Sequence, residues 1–155
     1  MGRFQFRLDN ILNIREKLED KKKQEYGEAS TSFQNEKEIK HQLINKTDNI
    51  FCGMRDMLEN KITPREVLYY NQYIGFLKER IIEQNKKVED AARHMENKRC
   101  ELLEVVKQRK MLESLKEKQK AAFLEEVNKS EQKIIDEIIS FKSQNRLRDR
   151  GKTSG

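Results

Sequence analysis

One spacing rule constrains this chain more than anything else in it. Counted in sevens from Val67, the sequence reads Val67, Ile74, Ile81, Val88, Met95 and Leu102. Three residues beyond each stand Tyr70, Leu77, Gln84, Ala91, Lys98 and Val105, followed by Leu112. Most intervening positions are polar. An apolar repeat of 3.5 residues imposes a left-handed supercoil on a helix and its partner. A helix with so narrow a stripe takes most of its stability from that partner, so the identity of the partner decides the fold.

Composition limits how thick the core can be. Charged residues make up 39% of the 155 and hydrophobic ones 35%, there is no Trp, and the mean hydropathy is -1.01. Compact globular domains carry about 45–50% apolar residues, so a thin seam is expected rather than a layered core. A single Pro and six Gly leave few places where a helix must stop.

The partner is the chain's own first half. From Phe4 to Leu58 apolar residues recur mostly at spacings of three, four and seven, namely Leu8, Ile11, Leu12, Leu18, Tyr26, Ala29, Phe33, Ile39, Leu43, Ile50, Met54 and Met57, with Arg15, Lys22 and Glu36 diluting the same face. Thr63, Pro64 and Glu66 then supply an N-cap, a first-turn proline and the second member of a capping box. A turn this short sets two helices antiparallel. The expected fold is all-α: a long antiparallel two-helix coiled-coil hairpin with the second helix the longer. It has a helix over 4–58, a turn over 59–63 and a helix over 64–145, together one rod, and a basic flexible tail over 146–155. A turn centred near residue 61 has residue i facing about 122 minus i. That sets Leu43 opposite Leu77–Ile81, Phe33 opposite Val88 and Leu18 opposite Leu102–Val105, in a paired rod ~80 Å long at 1.5 Å per residue.

The second helix outruns the first. Leu124, Val127, Ile134, Ile138 and Phe141 continue an apolar stripe, one residue out of phase with the seam, with nothing left in the first helix to cover it. A second apolar row (Tyr69, Tyr73, Phe76, with Arg80) flanks the seam near the turn; it either widens the core or is an aromatic docking patch. In the run Gln108–Lys118, Arg109 falls on a seam position, where a buried guanidinium needs an acid such as Glu16 or Glu19 or must emerge at the surface. The rest of that run reads as a solvated face.

Enzyme chemistry finds no support. His41 and His94 stand alone, Cys52 and Cys100 fall far apart in the hairpin, and Gly151-Lys-Thr lacks the preceding glycine and strand of a phosphate loop. No cofactor or metal is expected. The absence of a membrane-length apolar run, of a signal-peptide core and of paired cysteines suits a cytoplasmic setting without direct membrane insertion. Net charge is +6, but 33 bases are interleaved with 27 acids, apart from five bases against one acid from Lys142 onward. That argues against nucleic acid, whose phosphates need a concentrated basic patch. A homo-oligomeric scaffold pairing through the uncovered stripe is the other alternative.

Two stretches carry a family likeness. Phe4-Gln-Phe-Arg-Leu-Asp-Asn-Ile-Leu-Asn-Ile-Arg-Glu16 resembles the opening of the FliJ family of flagellar type III export proteins, F-x-F-x-L-x-x-[VI]-L-x-[IL]-R-E. Arg109-Lys-x-Leu-Glu-x-Leu-Lys-Glu-Lys118 is similar to the family's second signature. The resemblance implies a soluble, non-enzymatic component of the flagellar export apparatus, peripherally held at the inner face of the cell membrane. It implies a stalk-like coiled coil that binds a hexameric FliI-like export ATPase, promotes its assembly, couples it to a FlhA-like export gate and escorts export chaperones. The residues set against those roles are Phe4, Phe6, Leu8, Leu124, Val127, Ile134, Ile138 and Phe141 for the ATPase ring. Arg109, Lys110, Leu112, Glu113, Leu115 and Lys116 stand for the signature run, and Tyr69, Tyr73, Phe76 and Arg80 for gate or chaperone.

Overall fold

The computed structural model describes residues 2–152. They form two helices, α1 (Asp9–Glu59) and α2 (Pro64–Lys152), packed antiparallel as a helical hairpin with α2 the longer. Contacts divide the chain into two compact units, Glu16–Lys107 and the remainder.

Within Glu16–Lys107 the seam is where the count in sevens places it. Every repeat position from Val67 to Val105 is buried or half-buried, with Ile74 6%, Leu77 2% and Val105 7% exposed. On α1 a three–four alternation of covered positions runs through 19, 22, 26, 29, 33, 36, 40, 43, 47, 50 and 54, with 18, 25, 30 and 44 half-buried beside it. This seam is more polar than the apolar residues alone suggest. It includes Glu19, Lys22, Glu36, Lys40 and Thr47, while Ile39 and Met57 lie exposed beside it. Thr47 meets its polar requirement locally, its Oγ1 donating to the Leu43 carbonyl at 2.8 Å.

Cross-helix bonds fix the register. Lys22 Nζ reaches Glu101 Oε2 at 3.0 Å, Lys98 Nζ reaches Glu25 Oε2 at 3.3 Å, and Gln84 bonds to Glu36. These pairs lie within two residues of the expected alignment. Lys22 and Lys98 each also contact the acid on their own helix, so the four side chains close a ring of charge. Lys22 keeps Glu25 and Glu101 below the usual carboxylate range, and Glu101 and Glu25 raise Lys22. The lowered carboxylates contribute stability above their unfolded pKa of ~4.3 and lose it as pH falls through their folded values. The raised lysine contributes below its unfolded ~10.4 and loses it above. The ring therefore acts in full between about pH 5 and pH 10. Melting followed from pH 7 to pH 3 should drop less steeply in Glu25→Gln/Glu101→Gln than in the parent chain, and 1 M salt should narrow the gap.

The turn is made as its residues dictate. The Glu66 amide donates to Thr63 Oγ1 at 3.4 Å and the Thr63 amide donates to Glu66 Oε2 at 3.2 Å, a reciprocal capping box with Pro64 in the first helical position. Thr63→Ala should lower the unfolding free energy by ~1 kcal/mol, measurable by urea titration, with no change in helix content of the folded state.

In the other unit two boundaries differ from expectation. The N-terminus is not helical from Phe4: residues 2–8 form an arm, and α1 starts at Asp9, whose amide donates to the Phe6 carbonyl at 3.1 Å. Successive residues of a helix turn 100° apart, which would point Phe4 and Phe6 to opposite sides. In a non-helical arm, residues two apart can face the same way. Asp9 also suits the positive end of the helix dipole. At the other terminus α2 continues to Lys152, past the expected end at 145, so residues 146–152, read as a flexible tail, are helical. No Gly or Pro interrupts that stretch before Gly151, and Arg150 and Lys152 complement the helix's negative end. The expected tail residues 153–155 lie outside the described part.

Candidate partner interface

The arm and α2 build the terminal surface together. Phe6 is 7% exposed, with Lys116 Nζ 5.9 Å from its ring centre, and the same ammonium bonds to Asp9 Oδ1 at 2.7 Å. Phe4 is half-buried, its ring 5.7 Å from that of Phe123, and Leu8 is half-buried. The N-terminal phenylalanines are thus largely spent inside the molecule: Phe6 has no free face for a partner, and Phe4 shares its face with Phe123. Phe123 was missed in the sequence. It lies seven residues after Lys116, so counting through that lysine would have found it.

Beyond the arm's contacts α2 is uncovered. Leu124 is 50% exposed, Ile134 54%, Ile138 50% and Phe141 66%, while Val127 is half-buried. Ile135, Ile139 and Leu147, not singled out in the sequence, are exposed as well and widen the stripe. Ile134, Ile138 and Phe141 line a shallow groove together with the charged Glu137, Lys142 and Arg146 and with Asn145.

The signature run divides by position. Arg109 is partly covered and has Glu113 of its own helix as a partner at 2.7 Å, so its charge is met one turn away on α2. Leu112 and Glu113 are half-buried. Lys116 is a seam residue tied to Asp9 and Phe6, not the solvated side chain the charge run suggests. Lys110 and Leu115 face outward, beside an even more exposed Met111. Their groove also takes in Ser114 and Lys118.

In the turn-side unit the aromatic row is a surface. Tyr69 is 68% and Phe76 53% exposed. Tyr73 stacks on Phe76 at 6.4 Å, Arg80 lies over the Phe76 ring at 5.7 Å, and Lys46 of α1 reaches the Tyr73 ring at 5.9 Å. Tyr69 and Phe76 therefore lie outside the core, while Tyr73 is half-buried at its edge. The row presents rings whose faces carry cations.

Among the described residues no group of His, Cys, Asp and Glu is disposed to hold a metal, both cysteines are free and exposed, and no helix is long and apolar enough to cross a membrane. The family profile described as "Flagellar FliJ protein" matches residues 4–148, from the arm through the uncovered stripe. The chain belongs to the FliJ family. The Flagellar FliJ protein of Bacillus subtilis (strain 168) is 26% identical over 135 residues, covering 87% of this chain and 92% of that one. No solved structure matches the chain. Membership makes it a component of flagellar protein export, and the FliJ profile covers both surfaces described above, the arm with the bare α2 stripe and the aromatic row.

Proposed function

We propose that this FliJ-family chain is a stalk-like coupling protein that docks on the hexameric export ATPase through the bare stripe of α2, promoting ring assembly and turnover. Its aromatic row takes the export gate or an export chaperone, which makes it an escort as well as a coupler, working in the cytoplasm at the inner face of the membrane. The observation that carries this reading is the run from Leu124 to Phe141, where Leu124, Ile134, Ile138 and Phe141, at seam spacing on one continuous helix, are each half exposed or more. A contiguous apolar face of that kind marks an interaction site. The charged residues among its lining, Glu137, Lys142 and Arg146, favour a partner of mixed polarity, and salt should weaken the encounter. Acids and bases alternate along the helices, which leaves no patch for phosphate-driven binding of nucleic acid.

Titrating the intact chain into purified export ATPase tests the reading. Hydrolysis and the hexameric fraction, followed by phosphate release and sedimentation, should both rise severalfold and saturate. A flat response in both across the titration would overturn it.

A further inference from the structure

An apolar heptad seam has a weakness: it matches itself again after seven residues, so leucines and valines alone do not say how far one helix should slide along the other. Two polar layers in the turn-side unit remove the ambiguity. In the first, Gln84, 5% exposed, donates from Nε2 to the Glu36 carbonyl at 2.9 Å and to Glu36 Oε2. In the second, Lys22, Glu25, Lys98 and Glu101 form the closed ring of charge. Between the layers the seam positions are Tyr26, Ala29 and Phe33 on α1 and Val88, Ala91 and Met95 on α2, all buried or half-buried, with Ala29 at 4% exposure. Among the described residues no buried side-chain nitrogen or oxygen lacks a partner.

We propose that these two layers are a register lock: they specify one alignment of α1 on α2, the Gln84–Glu36 layer at a cost in stability, where the apolar repeat alone would accept several. A slip of one heptad moves Gln84 off Glu36 and onto Ala29 or Leu43, where its amide has no acceptor side chain. The same slip takes Lys98 off Glu25 and onto Leu18 or Ser32, and Glu101 off Lys22 and onto Arg15 or Ala29, so the closed ring is lost. A second copy laid parallel along α2 fares no better, since Lys98 would meet Lys98. Polar residues at seam positions fix register and strand number in this way, and replacing them with apolar residues commonly raises stability while that specificity is lost. The alignment has a surface consequence, because the locked register is what carries Lys46 to Tyr73 and so completes the aromatic patch.

The test is Glu36→Leu/Gln84→Leu in the full chain, examined by melting, by amide nitrogen–proton correlation spectra and by sedimentation at tens of micromolar. The double variant should melt several degrees higher than the parent and show extra amide signals for residues of the turn-side unit, or species heavier than the parent. Glu36→Gln, which keeps an acceptor for Gln84, should retain the parent's single set of signals. A double variant with one set of signals and unchanged sedimentation would refute the lock. So would one that fails to fold, since the layer would then supply stability rather than alignment.

Discussion

Leu77→Ala should lower the unfolding free energy by about 3 kcal/mol and the melting temperature by roughly 6–12 °C, the largest stability effect expected from a single truncation in this chain. Leu77 is the most deeply buried large side chain, 2% exposed, on the seam between Ile74 and Gln84. A two-helix seam has no second layer from which neighbours can move in to fill a void, so little of the cavity left by three lost carbons would collapse. Small proteins of this class are stable by only ~5–15 kcal/mol, so the variant would forfeit a sizeable part of the whole. Leu68, on the outer side of the same helix and 60% exposed, is the control: Leu68→Ala should fall within about 0.5 kcal/mol of the parent. Urea titrations followed by helical circular dichroism compare the two. A Leu77→Ala loss no greater than that of Leu68→Ala would mean that the seam is not what holds the helices together.

The seam of α2 was legible because its positions are mostly apolar and a count in sevens needs no knowledge of the partner. α1 was harder to read for a physical reason. Its covered row contains Glu19, Lys22, Glu36, Lys40 and Thr47; Lys22 and Glu36 meet Glu101 and Gln84 across the interface, Glu19 meets Lys23 of its own helix, and the Thr47 hydroxyl is accepted by a carbonyl of its own turn. A pattern based on hydropathy discards these residues and promotes Ile39, which is exposed. The terminal surface was legible in part. The bare stripe follows from the mismatch in helix lengths, whereas the covering of Phe6 and the pairing of Phe4 with Phe123 depend on a non-helical arm that periodicity does not reveal. The helix running to Lys152 is a related case: net positive charge suggested a loose tail, yet those charges sit where a helix end favours them.

Ile134→Asp/Ile138→Asp should leave folding intact and abolish at least nine-tenths of the stimulation of the export ATPase, the largest functional effect expected. Both side chains are about half exposed and neither belongs to the seam with α1, so their replacement removes no internal contact that the structure shows. Melting should therefore move little, because surface substitutions away from caps and cores usually change stability by less than about 0.5 kcal/mol. For docking the arithmetic is different. Fully burying an isoleucine against a partner is worth about 1.5–3 kcal/mol, and two carboxylates brought into the same contact would each demand a partner or stay hydrated. Even one lost isoleucine's share corresponds to a tenfold weaker complex, since 1.4 kcal/mol is a factor of ten. The paired control is Tyr69→Ala/Phe76→Ala in the other unit, which should spare the ATPase response while weakening capture of gate or chaperone. Sedimentation of the parent and the aspartate variant, without ATPase, separates the competing explanation. If the parent self-associates through the stripe and the aspartates make it monomeric while ATPase stimulation is unchanged, then a second copy of this chain, not the ring, is what that face binds.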